Sequence, residues 1–223
     1  MNRVDGTFRV YRVFSAVPHL NLVDVAADRL YTVYESGYPD DRQRVVDDLS
    51  TGDLLDATVE GDPDAPDDPW RLVDPEPEPE ESVSVDFATG VDYPPVARET
   101  WARAREAAGD DPVEPAGRTL GADGAAGEVW VQPRDAFPDG AFTRRAATGL
   151  VPLEPLFRGL PRADAPASEL LVVDADEPGT SRHTEPYGVL MFFTAAGRDL
   201  ADEYRERLDL PRGADSRPDF DPY

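Results

Sequence analysis

Polar and apolar residues alternate in three runs near the start of the chain: TFRVYRVF (Thr7 to Phe14), LNLVDVA (Leu20 to Ala26) and LYTVYES (Leu30 to Ser36). All three are rich in β-branched and aromatic residues, and the turn signals VPH and ADR separate them. A period of two on such residues predicts strands, here a β-meander. The period changes at PDDRQRVVDDL (Pro39 to Leu49), where proline and two aspartates suit a helix N-terminus and Val45, Val46 and Leu49 make a short apolar face. Strands resume in DLLDATVE and WRLVD. Three strands, a helix and two strands is the order of a five-stranded Greek-key barrel of the OB type. An SH3-like barrel or a half-barrel gives nearly the same string. The expected first domain is therefore an OB-like five-stranded β-barrel.

The second half mixes periods. PPVARETWARAREAAG (Pro94 to Gly109) reads as a helix opened by proline and closed by glycine, with Val96, Ala97, Trp101, Ala104 and Ala108 on its apolar face. GEVWVQP (Gly127 to Pro133) reads as a short strand and GAFTRRAATGL (Gly140 to Leu150) as a short helix, while PLEPLFRGLP is punctuated by proline and reads as irregular. SELLVVDAD (Ser168 to Asp176) and YGVLMFFTA (Tyr187 to Ala195) are almost continuously apolar, which predicts central strands covered on both faces. In AGRDLADEYRERLDL, Leu200, Tyr204 and Leu208 recur at helical spacing, with Thr194 near the N-cap and Glu203 and Arg207 as an exposed pair. The whole reads as α+β, a barrel followed by a small α+β domain.

Composition shifts at DPEPEPEES (Asp74 to Ser82), where alternating Pro and Glu favour extended, self-repelling chain. This sets the expected boundaries: barrel 1–74, acidic linker 75–82, α+β domain 83–211 and an unstructured tail 212–223 carrying Phe220 and Tyr223. No internal repeat is visible.

Charge changes the picture more than any motif. The chain has 46 acidic residues against 22 basic ones, every one of the latter an arginine, giving a formal charge of -24. Such a charge destabilises a compact fold in ordinary buffer by self-repulsion. At about 1 M salt the Debye length falls to roughly 3 Å and the repulsion is screened. Acid-rich, lysine-free and Asp-heavy, the chain reads as a cytoplasmic protein of a salt-accumulating archaeon. The surface charge is then first an adaptation to salt and only secondarily a statement about partners. The N-terminal stretch MNRVDGTFRVYRVF has no apolar run of signal-peptide length, and no later segment has the length and apolarity of a membrane span.

The chemistry that remains is narrow. No cysteine means no disulfide, no thiolate nucleophile and no Cys-ligated zinc; no lysine means no P-loop and no Schiff-base lysine. His19 and His183 sit in different domains without partners at metal-ligand spacing. Asp174, Asp176 and Glu177 lack the glycine and terminal glutamate of a calcium loop. We expect no catalytic set, metal or cofactor. Two binding surfaces are conceivable. On the barrel, Arg9, Tyr11 and Arg12 with Trp70 would form an aromatic and arginine platform for single-stranded nucleic acid. The bland alternative fills the barrel with the aromatics and pairs the arginines with carboxylates. The acidic loop GDPDAPDDP (Gly61 to Pro69) offers neither positive charge nor many amides and reads as a solvated turn. In the second domain, Arg182, His183 and Glu185 stand together on GTSRHTEPYG, the loop joining the two strongest strands, and form an alternative site.

STGDLLDATVEG and PWRLVD in the first half, and PYGVLMFFTAAGRDLADEYRERLDLP (Pro186 to Pro211) in the second, resemble an uncharacterised family of haloarchaeal proteins. The resemblance rests on strand-to-helix joints and implies no activity. The functional expectation is thus a non-enzymatic binding or adaptor protein, its partner a protein or a single strand and not a membrane. The alternative is an enzyme of unrecognised type around Arg182, His183 and Glu185. The oligomeric state is open.

Overall fold

The computed structural model describes residues 2–13, 19–65, 68–137, 140–177, 180 and 182–212. The elements are β1 (Asn2–Val13), β2 (His19–Asp24), β3 (Arg29–Tyr34), α1 (Asp40–Asp48), β4 (Leu54–Gly61), β5 (Arg71–Pro77), β6 (Ser84–Ala88), α2 (Pro95–Ala108), β7 (Ala116–Leu120), β8 (Gly127–Pro133), α3 (Phe142–Ala147), α4 (Glu154–Arg158), β9 (Glu169–Val173), β10 (Tyr187–Phe193) and α5 (Arg198–Arg207). The chain forms two compact units. Among the described residues, one holds residues 2–84 and takes back Ala147–Glu154, and the other holds Val85–Ala146 and residues 155–212. Phe14, Ser181, Phe220 and Tyr223 lie outside the described residues.

In the first unit the predicted order of three strands, one helix and two strands is present, but the OB-like barrel is not. The strands form an open antiparallel sheet in the order β3-β2-β1-β4-β5. Among the described residues the two edges meet at one isolated bridge, Val33 with Trp70. There the Trp70 amide donates to the Thr32 carbonyl (2.7 Å) and the Tyr34 amide to the Trp70 carbonyl (3.0 Å). Closure requires a ladder, and the chain around β5 cannot extend one. Pro69, Pro75 and Pro77 supply no amide, and Asp74 sits at φ +48° and breaks the extended run. The supposed linker is partly this strand: β5 runs to Pro77, and beyond it the Glu78 and Val83 amides donate to the Leu54 and Gly52 carbonyls (2.8 and 2.9 Å).

One face of this sheet buries Phe8, Val10, Leu20, Leu22, Val33, Leu55 and Leu72 under Val46 and Leu49 from α1 and the residue after it. β2 is buried at all six positions, so its other face is covered too. The cover is the returning segment Ala147–Glu154. Asn21 donates to the Thr148 carbonyl (2.9 Å), and the Arg9 guanidinium meets the Glu154 carboxylate through two hydrogen bonds (3.0 and 3.1 Å). Gly149, at φ +77°, lies so close to the Tyr11 ring that a Cβ would stand 2.7 Å from it. Only glycine meets both demands.

The second unit is a five-stranded sheet in the order β6-β9-β10-β8-β7. β9 and β10 are buried at every position, as their apolar runs predict, and β10 is central. The edge strands β6 and β7 escaped the pattern reading, and PLEPLFRGLP contains the one-turn helix α4. α2 packs Ala97 and Trp101, and α5 packs Ala201 and Tyr204, against a core of Val129, Val131, Leu171, Val173, Val189, Met191 and Phe193. α5 is further fixed by Arg205, 2% exposed, which donates to Asp86 and Glu169. Thr194 makes no side-chain cap; its hydroxyl donates to the Ala125 carbonyl (2.7 Å). The Glu203–Arg207 pair forms on the exposed face of α5. No described helix is long and apolar enough to cross a membrane.

Candidate functional site

Strand register brings three chain segments to one end of the second sheet. β10 pairs Tyr187 with Pro133 at the end of β8, and Val189 with Val173 at the end of β9. The turn after β8 and the loop between β9 and β10 therefore start side by side. Arg134 opens the turn. Its amide donates to the Pro186 carbonyl (3.0 Å), Nε to the Glu185 carbonyl (2.9 Å) and Nη1 to the Gly140 carbonyl (2.9 Å). Nη2 donates to Asp174 and, at 3.2 Å, to Asp176. Arg134, Asp174 and Asp176 are all nearly fully buried.

Asp174 and Asp176 are thus ligands of an internal cation. The guanidinium occupies the place between Asp174 and Asp176 that a divalent ion would need. Among the described residues no group of three or more His, Asp or Glu side chains is arranged to hold a metal. Thr143 donates to Asp174, and Thr184 donates to Asp176 through its amide (3.0 Å) and hydroxyl (2.7 Å). Burial pushes the Asp176 carboxyl up, but the Thr184 hydroxyl and amide, with Arg134 and His183, more than offset this. Its pKa falls below the usual aspartate value.

This buried knot holds the β9–β10 loop and with it the alternative site. His183 Nδ1 stands 3.4 Å from Asp176 Oδ2, the oxygen that also accepts from Arg134 Nη2. Its ring lies against Gly140, at φ +68°, where a Cβ would come within 2.7 Å of Nε2. Glu185 is half-buried and Arg182 exposed. His183 and Glu185 line a cavity of about 600 Å³, together with Trp101, Arg105, Val113 and Arg134 among others. Asp111 and Asp135 lie on its wall as well.

Trp101 stacks on Tyr187 with ring centroids 4.5 Å apart and planes within 13°. The sequence placed Trp101 on the apolar face of a helix; in the structure it is also a half-buried wall of the cavity. Burial raises the Tyr187 hydroxyl to about 12, with Glu185's charge adding to the effect. A second cavity of about 490 Å³, lined by Asp92, Tyr93 and Arg98, shares Thr184 and Glu185 with the first. Arg134 and Trp101 were not legible as site residues: Arg134 lies 40 residues from Asp174, and Trp101 has the spacing of ordinary helix packing.

The residues expected on the first unit are differently employed. Arg9 is 3% exposed and donates to Glu154 and to the Gly52 and Glu81 carbonyls. Tyr11 is buried against Gly149. Arg12 pairs with Glu35 and caps the end of α1 by donating to the Asp47 and Leu49 carbonyls (3.0 Å each). Trp70 packs edge-on against Tyr31, ring centroids 5.0 Å apart. In the acidic loop, Asp62 accepts from the Asp64 and Ala65 amides, a local turn; residues 66 and 67 lie outside the described residues.

Fold and site together define a two-unit α+β protein built on two open sheets, the second bearing a ligand-sized cleft at its β9–β10 loop. The chain belongs to the family of unknown function DUF6663, whose model matches residues 1–180. No curated protein and no solved structure matches it.

Proposed function

We propose that this is a binding protein of a salt-accumulating archaeal cytoplasm, and that its second unit holds a small organic molecule in the cleft beside the β9–β10 loop. One observation carries the reading: a cavity of about 600 Å³ walled by Trp101, a ring already held flat by Tyr187. This is the volume of small-molecule sites, and an aromatic wall is a common part of them. Arg134 supports it by fixing the loop from beneath, so that little ordering remains to be done on binding. The arginine and tyrosine platform on the first unit receives no comparable support, because Arg9 and Tyr11 are turned inward.

Tryptophan fluorescence of a Trp70→Phe, Trp130→Phe variant in 2 M KCl, titrated with a library of small aromatic compounds, tests the reading. Saturable changes reporting Trp101 are expected. A library that leaves the emission and the melting temperature unmoved counts against a cleft ligand.

The Asp176–His183 contact favours a second reading, acid–base chemistry at an imidazole oriented by a buried carboxylate. It has less behind it. The neighbouring Thr184 hydroxyl is committed to Asp176, and a Cβ at Gly140 would meet His183 Nε2. Turnover of a cleft ligand by the protein, abolished in His183→Gln with binding retained, would favour this reading over simple binding.

A further inference from the structure

We infer that the cleft selects zwitterions whose two charges are held apart by a flat apolar body; the inference rests on the cleft reading above and assigns its ligand class. Side chains of both signs line the cavity, and some of them are already answered. Arg134 is buried against Asp174 and Asp176, and His183 stands beside the same Asp176. Those two belong to the knot behind the wall. Carboxylates without a partner mean little in a chain with 46 acidic residues against 22 arginines, so the exposed Asp111 and Asp135 are background. The informative charges are an arginine that lacks a carboxylate and a carboxylate drawn out of full solvent.

Arg105 is the first of these. Exposed arginines elsewhere find carboxylates: Arg3 meets Glu60, Arg44 meets Asp41 and Arg207 meets Glu203. Arg105 shares its cavity with Asp111, Asp135 and Glu185, yet pairs with no carboxylate among the described residues. Its Nη1 donates to the Gly109 carbonyl at the end of its own helix (2.9 Å), and the rest of the fork is uncommitted. Arg98, two turns earlier on the same face of α2, lines the second cavity and likewise makes no ion pair or side-chain hydrogen bond among the described residues. Trp101 lies between the two arginines. Glu185 is the second informative charge. It is half-buried, lines both cavities, and its charge is felt at the Tyr187 hydroxyl. Arg134 holds its backbone carbonyl (2.9 Å), so its position is fixed while its carboxylate stays without a hydrogen bond among the described residues.

An arginine on α2 and a glutamate on the β9–β10 loop thus line one cavity without meeting each other. A ligand with a single charge answers one of them and sets a like charge, or none, against the other. A ligand carrying both signs answers both. Because the two side chains do not reach one another, the ligand's charges must be separated as well, here by a flat body lying along Trp101 and Val113. The ligand carboxylate would take two parallel hydrogen bonds from the Arg105 fork, a geometry that chloride from the medium cannot reproduce. The ligand ammonium would face Glu185, whose partial burial lessens screening by molar salt.

Four probes share one ring and differ in charge: 4-(aminomethyl)benzoate, 4-methylbenzylammonium, 4-methylbenzoate and 4-methylbenzyl alcohol. They are titrated at pH 7 in 2 M KCl with the full chain, by calorimetry. We expect the zwitterion, 4-(aminomethyl)benzoate, to bind about tenfold more tightly than each of the other three. Glu185→Gln should remove its advantage over 4-methylbenzoate while leaving the alcohol's affinity unchanged. Arg105→Gln, which keeps a donor for the Gly109 carbonyl, should remove its advantage over 4-methylbenzylammonium, again without moving the alcohol. The ranking of the four probes on the parent protein tests the assignment even where a variant folds poorly. Equal or tighter binding of a singly charged probe or of the alcohol overturns the zwitterion assignment and leaves the cleft standing. An advantage that persists in both variants overturns it too. Failure of all four to bind overturns the cleft itself.

Discussion

Arg134 is where a single residue decides most. Its side chain donates to two backbone carbonyls and two buried carboxylates, and the loop bearing His183 and Glu185 hangs from those bonds. Removing one partner of a buried ion pair costs about 3–5 kcal/mol, because the other charge stays behind. Arg134→Met should therefore lower the unfolding free energy by about that amount in urea titrations at 2 M KCl. Arg134→Lys should be intermediate, keeping the charge without the fork. Asp176 adds a pH dependence of known sign. Its folded pKa lies below the unfolded value, so its contribution is present above the ordinary aspartate pKa and fades as pH falls through the lower folded one. Melting curves from pH 7 down to 3 should show Asp176→Asn less acid-sensitive than the parent, though less stable at neutral pH. Identical acid slopes for the two proteins would contradict this.

Elements with strong local patterns were the legible ones. The apolar runs of β9 and β10 announce buried strands wherever they are packed, and Pro95 and Gly109 bracket α2 in the sequence as they do in space. The first five strands were equally readable one by one. Their closure was not, because whether β3 and β5 pair is settled by long-range geometry and by the three prolines around β5. β6 and β7 have five residues each, interrupted by Asp or Gly, and carry too little period to register. Of the site, the loop with His183 and Glu185 stood out as the joint between two strong strands. Its support by Arg134 depends on strand register that no local pattern encodes.

The docking of Ala147–Glu154 on β1 and β2 is likewise non-local and makes a testable case. Arg9→Met should destabilise the first unit by about 3–5 kcal/mol, because it removes the two guanidinium hydrogen bonds to the Glu154 carboxylate. The double variant Arg9→Met, Glu154→Leu should recover much of that loss. Additive losses would mean the pair is not coupled as its geometry requires.

At the scale of the whole molecule, charge governs. With a formal charge of -24, the fold should melt at a lower temperature in 0.1 M than in 2 M KCl, as the Debye length grows from a few Å to about 10 Å. Circular dichroism melts at the two concentrations measure this directly. Equal midpoints would remove the argument that molar salt is the protein's working medium. Limited proteolysis probes a different expectation: the Pro/Glu segment, part strand and tied to Leu54 and Gly52 beyond it, should resist cleavage up to Val83.

The return of Ala147–Glu154 to the first unit also has a consequence in time. A ribosome releases the chain from one end, so the first 84 residues exist before the piece that supplies Arg9's counter-ion and Asn21's carbonyl partner. Seventy further residues must be made first, a wait of roughly 4–14 s at 5–20 residues per second. Throughout that interval the nascent sheet carries a buried arginine whose carboxylate partner, Glu154, has not been synthesised. A stalled chain ending at residue 84 should therefore remain protease-sensitive, and one extended past residue 154 should become resistant once that segment has cleared the exit tunnel.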